Sequence, residues 1–248
     1  MLILLPPSAG KAMPEQGDPV DLDALAFAEE LKAPRSALLD AAERLASRPL
    51  KRAVRELGIS PGQVGDVAVN TVLRGAPAAP ASEVYAGVLY DRLDLPGLPA
   101  AARRQAADRV LIASALWGVL RPGDRIPYYR FPAKARLTGI GPPSAWWRDA
   151  LTAAMPDRPG ELVIDMRSAA YASAWKPKRA TLLAVRAFTD QAGKRKAVSH
   201  MAKAVRGDAA RVLLSSKKAP MDPEAAAAVL RDAGFEVELT PTSLDLIV

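Results

Sequence analysis

Met1-Leu-Ile-Leu-Leu-Pro-Pro7 is an uninterrupted apolar run closed by paired prolines. Apolar residues without polar alternation mark a strand buried on both faces, as in parallel sheets covered by helices. Working outward, similar runs lie at Arg109-Val-Leu-Ile-Ala-Ser114, at Leu162-Val-Ile-Asp-Met166 and across 180–188. Helical spacing fills the gaps. Pro34 opens a helix over 35–47 with Leu38, Leu39, Ala42 and Leu45 on one side; Pro49 restarts another that Gly58 ends; 64–73, 100–108 and 146–154 follow. Helices over 199–212 and 222–233 precede a closing β pair at 235–239 and 244–248. Strands alternating with helices predict a mixed α/β fold, a central mixed β-sheet flanked by helices. Gly75-Ala-Pro-Ala-Ala-Pro80 is the best linker candidate, but its length suits a surface loop equally, so residues 1–248 are read as one domain.

The composition excludes several classes of function. Half of the 248 residues are hydrophobic and a quarter charged, which suits a soluble globular chain and neither a disordered tail nor a membrane bundle. The opening apolar run is too short for a signal segment and lacks a basic stretch before it, so a cytoplasmic protein is expected. With no Cys and a single His, His200, there is no disulfide, no thiolate nucleophile and little to ligate a metal; neither metal nor cofactor is expected. The net charge of +7 is unevenly spread: residues 1–100 carry −3, residues 101–218 carry +15 and residues 219–248 carry −5. A basic block between acidic flanks points to a phosphate-bearing partner, with Arg on solvated helix faces as the plainer alternative.

Chemistry-bearing residues gather in three places. Ser8 and Lys11 follow the first strand, where ligands of α/β sheets collect, although the spacing of a nucleotide phosphate loop is absent. The run Ser114-Ala-Leu-Trp-Gly-Val-Leu-Arg-Pro-Gly-Asp-Arg-Ile-Pro-Tyr-Tyr-Arg130 offers a hairpin at 118–123 whose amides could approach a phosphate. Arg121 and Arg130 would supply bidentate contacts, oriented by Asp124. A structural pairing of Asp124 with Arg121 and a core role for Trp117, Tyr128 and Tyr129 fit the same residues. The third cluster holds Asp165, Ser168, Tyr171, Lys176 and Lys178, with Lys203 and Arg206 downstream at the spacing of one helical face. Ser168 also suits a helix N-cap, and a Ser168–His200–Asp165 triad has nothing to position it.

These residues carry a family resemblance that runs nearly end to end. Leu4-Leu-Pro-Pro-Ser8, Tyr85-Ala-Gly-Val-Leu89, Leu116-Trp-Gly-Val-Leu-Arg-Pro-Gly-Asp124, Tyr129-Arg130, Trp147, Val163-Ile-Asp165, Ser168, Tyr171, Lys176-Pro-Lys178 and Ala202-Lys-Ala-Val-Arg-Gly207 resemble the YaaA family of bacterial peroxide-stress proteins. The Gly-Val-Leu-Arg-Pro-x-Asp string is the most specific. The resemblance implies a cytosolic protein that limits iron-driven oxidative DNA damage, with a mixed α/β fold that includes a helix-hairpin-helix element and binds duplex DNA. The chain departs from the family at Asp165, where Asn is common, and at Ala170, where Glu is common. Its N-terminal loop also runs one residue out of step with the family's Ser-Pro-Ala-Lys, Lys11 being the nearest equivalent of that Lys.

Two functions are therefore carried forward. In the first, Ser8, Lys11, Arg121, Tyr129, Arg130, Ser168, Lys176, Lys178, Lys203 and Arg206 bind double-stranded DNA or another phosphate-bearing ligand. In the second, the chain is an enzyme acting on a small anionic metabolite, with Lys176, Asp124, Asp165 and Tyr171 as catalytic candidates. Convergence of these side chains in one enclosed crevice favours the second; Lys and Arg along an open face favour the first.

Overall fold

The computed structural model describes residues 1–191, 194–197 and 201–247. Its sheet contains β1 (Leu2–Leu5), β2 (Val110–Ser114), β3 (Gly118–Leu120), β4 (Leu162–Asp165), β5 (Thr181–Gln191), β6 (Lys194–Ala197), β7 (Glu236–Leu239) and β8 (Ser243–Ile247), in the order β7-β8-β5-β4-β1-β2-β3. β1 is central and every one of its residues is buried. It runs parallel to β2 and β4, β4 runs parallel to β5, and β5 to β8. Antiparallel β3 and β7 close the two edges, and β6 folds back on the C-terminal part of β5. The sheet is thus the mixed one that the apolar runs predict, and their positions hold to within a few residues.

The principal helices are α1 (Ala28–Ala46), α2 (Leu50–Leu57), α3 (Val88–Leu93), α4 (Ala100–Arg109), α5 (Arg148–Ala154), α6 (Met201–Ser215) and α7 (Pro223–Asp232). α1 starts about two turns earlier than the proline suggests. Leu31 is fully buried and its N–H bonds to the Phe27 carbonyl, so packing carries the helix through Pro34, which forfeits only its own missing N–H bond. Residues Pro61–Val72 form a 3₁₀ helix, a tighter coil than the helix expected over 64–73, and Gln63 Oε1 anchors its start by accepting from the Ser60 N–H and hydroxyl. The proline-rich stretch is neither linker nor surface loop: Ala78–Pro80 pairs with Arg125–Pro127 as a small ribbon, and Ala78 is buried.

The hairpin expected at 118–123, and with it a helix-hairpin-helix at that place, is not what forms there. Gly118–Leu120 is a buried edge strand paired antiparallel with β2, not the turn of a phosphate-binding hairpin. Gly118 lies at φ +74°, and a Cβ there would stand 2.9 Å from the Trp147 ring. A side chain that sequence analysis passed over holds this edge. Arg35, fully buried on α1, donates Nε to the Trp117 carbonyl (3.0 Å) and Nη2 to that of Val119 (2.7 Å).

Candidate functional site

In a sheet of this order the chain leaves β1 toward one edge and β4 toward the other, the switch point at which open α/β sheets form a ligand crevice beyond the carboxyl ends of the strands. The loop after β1 enters that crevice. Gly10–Lys11 makes a two-residue ribbon with Tyr85–Ala86, in which Lys11 stands opposite Tyr85. The Ser8 hydroxyl donates to the Ala86 carbonyl, and Lys11 Nζ donates to the Ser8 carbonyl at 2.8 Å. The same Nζ lies 4.5 Å from the centre of the Tyr129 ring and 5.6 Å from that of Tyr85. Burial, and secondly the positive charge of Arg130, lower the Lys11 ammonium to about 8, with Asp66 acting in opposition.

Beneath Lys11 runs a chain of buried hydroxyls. Tyr85 and Tyr129 share a hydrogen bond of 2.7 Å, and Tyr129 shares another of 2.9 Å with Ser114 at the end of β2. Ser114 Oγ also accepts from the Trp117 N–H at 3.1 Å, which turns the chain from β2 toward β3. Burial pushes the Tyr85 and Tyr129 phenols well above their ordinary range, so both stay protonated. Tyr171, half-buried beside them, is pushed up to about 12 by the same cause. Ser114, Tyr171, Arg167, Trp147 and Trp175 line a cavity of about 20 Å³, room for one water.

Arg130 closes one side of the crevice. Its backbone is clamped by Asn70, which accepts from the Arg130 N–H (2.9 Å) and donates to its carbonyl (2.7 Å). Its guanidinium donates to the Ala9 carbonyl at 3.2 Å, and Nε lies 3.6 Å from Asp66 with no acceptor in hydrogen-bond range. Asp165 takes the opposite side, but its carboxylate is committed to a neighbour. It accepts from the Arg167 N–H (3.0 Å), Nε (2.9 Å) and Nη2 (2.9 Å), while Nη2 also donates to the Trp175 carbonyl. The pair is buried and folds the chain after β4 back over the crevice.

Structure therefore gathers Ser8, Lys11, Tyr129, Arg130, Asp165 and Tyr171 at the carboxyl ends and leaves the other candidates elsewhere. Ser168 is exposed at the N-terminus of a four-residue helical turn, Ala169–Ala172, and its side chain makes no cap bond there. Arg121 and Asp124 lie at the opposite end of β2. Arg121 reaches the Ala107 carbonyl at 3.1 Å, and the Asp124 carboxylate accepts from the Arg121 and Ala26 N–H groups. Asp124 thus closes its own turn, and burial raises its proton affinity against those bonds and the charge of Arg35. Lys176 and Lys178 are exposed and split by fold: Lys176 follows Trp175 at the crevice, whereas the Lys178 N–H is held by Asp157 near the start of β4. Lys203 is exposed, but Arg206 turns inward to the Val185 carbonyl, so the two do not act as one face. His200 falls outside the described residues.

Comparison with known proteins adds the lineage. The family model for the peroxide stress protein YaaA matches residues 1–239. The chain belongs to the YaaA peroxide-stress family. It is 44% identical to a UPF0246 protein of Streptomyces coelicolor over all of this chain and 98% of that one. It is 38% identical to a UPF0246 protein of Corynebacterium efficiens, with 96% and 95% of the chains covered, and 36% identical to one of Corynebacterium glutamicum, with both covered fully. In this YaaA-family protein the Gly118-Val-Leu-Arg-Pro-Gly-Asp124 string builds the β3 edge and its turn, which accounts for its residue types without a ligand.

A basic surface also lies apart from the residues predicted from sequence. Residues 44–55, spanning the end of α1 and most of α2, contain Arg44, Arg48, Lys51, Arg52 and Arg55 and no acid. All but the half-buried Arg52, which pairs with Glu56, are exposed. Lys134 packs beside Gly58 and Arg136 donates its N–H to the Glu56 carbonyl, so two more exposed cations join them. Among the described residues, Arg44, Arg48, Lys51, Arg55, Lys134 and Arg136 have no carboxylate within 4 Å. The signal was in the sequence, hidden because these residues sit in a segment that is acidic on average.

Proposed function

We propose that this YaaA-family protein acts in the peroxide-stress response by binding double-stranded DNA through its phosphates, and so limits iron-driven damage to it. The observation that carries the reading is the unpaired basic surface of α2 and its neighbours. α2 ends at Gly58 in the left-handed conformation (φ 63°), and the 3₁₀ helix begins three residues later at Pro61. Two short helices joined by a glycine turn, flanked by cations without counter-ions, suit a phosphate backbone better than a base edge, since exposed Arg and Lys neutralise charge without reading sequence. Lys176, Lys178 and Lys203 are secondary contacts in this reading. An effect on free iron would be indirect, because among the described residues no group of three or more His, Asp or Glu stands in a metal-holding arrangement.

Anisotropy titrations with two labelled duplexes of unrelated sequence test the proposal. Equal affinities, weakened alike by Lys51→Ala plus Arg55→Ala, support it. Affinity that depends on sequence, or that ignores these substitutions, removes the basis for it.

A further inference from the structure

The crevice is not used by that surface, and its chemistry is different. We propose that Lys11 is a carbonyl-reactive amine and that the crevice beside it takes a small anionic aldehyde or ketone, captured as an imine. Four observations converge on this. Lys11 stands at the carboxyl end of the central strand, where the switch in chain direction opens the sheet to a ligand. Its amine has one hydrogen bond, to the Ser8 carbonyl, and among the described residues no carboxylate lies within 4 Å of it, so no ion pair holds the proton in place. The faces of Tyr129 and Tyr85 shield it from water. Arg130, whose Nε lies 3.6 Å from Asp66 without a hydrogen-bond acceptor, supplies a positive charge for an anionic substituent on the ligand.

A lysine meant only to hold an anion gains from staying an ammonium. Here burial and Arg130 work against the ammonium, while Asp66 and the faces of the neutral Tyr85 and Tyr129 rings favour it. That is the environment in which lysines act as nucleophiles. The step needs no co-reactant. The Lys11 nitrogen bonds to the carbonyl carbon, the C=O bond breaks, both amine hydrogens end on the oxygen, and it leaves as water. Tyr171, a protonated phenol, lines the adjoining cavity.

Pyridoxal 5′-phosphate, an aldehyde carrying a phosphate, is the probe. The intact protein is exposed to it, the imine is reduced with borohydride, and labelled lysines are mapped by peptide mass spectrometry. At about pH 7.5 Lys11 should be labelled about ten-fold faster than exposed Lys176, Lys178 and Lys203, because burial lowers its ammonium to about 8. Its rate should level off above about pH 8 to 9, and Lys11→Arg should abolish the fast phase alone. Inorganic phosphate should slow labelling at Lys11, and unphosphorylated pyridoxal should react more slowly there. Lys11 labelled no faster than the exposed lysines overturns the proposal. Pyridoxal matching its phosphate ester at Lys11 overturns the assignment of an anionic ligand. Neither result bears on DNA binding by α2.

Discussion

Asp165 and Arg167, two positions apart, are almost wholly enclosed, and each satisfies the other through paired charged hydrogen bonds. Removing one member leaves a buried charge without its partner. Asp165→Ala is expected to cost about 3–5 kcal/mol in urea unfolding, and Asp165→Asn less, because its amide oxygen still accepts from Arg167. Asp165 could be read in the sequence as a strand-end carboxylate; that Arg167 turns back on it could not, since the contact depends on where Trp175 places its carbonyl. Lys11 was legible as a loop lysine at a strand end, and its partners were not, because the Tyr85 strand that faces it arrives from 74 residues away. Its pH dependence follows from burial. The ordinary Lys value of 10.5 falls to about 8 in the folded chain, so between these values the unfolded chain binds more protons and stability rises with pH. The penalty is fully present below about pH 8 and gone above about 10.5. Wild type compared with Lys11→Met by chemical denaturation should therefore gain stability from pH 8 to 10, the buried tyrosines cancelling in the difference.

At the scale of elements, the buried strands were the most readable part of the sequence, because an unbroken apolar run has few other uses. Helix limits were less readable wherever packing overrode a local signal, as at Pro34, and the β3 strand was hidden in a Gly- and Pro-rich string that looks like a loop. Gly207 shows how an element can be fixed by what a residue lacks. It lies on α6 against α3, where a Cβ would stand 2.4 Å from the Leu89 carbonyl and 2.7 Å from Arg92 Cβ. Both are at or near backbone and cannot swing aside, so Gly207→Ala should push the two helices apart. A loss of about 1–3 kcal/mol is expected, outweighing the gain in helix propensity. Thermal unfolding of the variant checks this; an unchanged midpoint would mean that the helices have slack the close approach denies.

For the molecule as a whole, paired and unpaired cations lie in different places. The block-averaged charge points to residues 101–218, yet many cations there are committed to partners within the protein: Arg167 to Asp165, Arg186 to Asp245, and Arg206 to a backbone carbonyl. The unspent group lies on α1 and α2, in a segment whose total is negative. Net charge by stretch of sequence cannot distinguish paired from unpaired cations; the fold can. The salt dependence of duplex binding measures the proposed DNA contacts most directly, because each phosphate neutralised contributes a slope of about 0.9 in log affinity against log salt. Titrations from about 50 to about 200 mM salt should give a steep negative slope for the wild type, and the Arg44→Ala, Arg48→Ala, Arg55→Ala variant a slope shallower by about two to three units. A slope unchanged by the triple substitution, or binding that ignores salt altogether, would contradict the assignment of this surface to DNA.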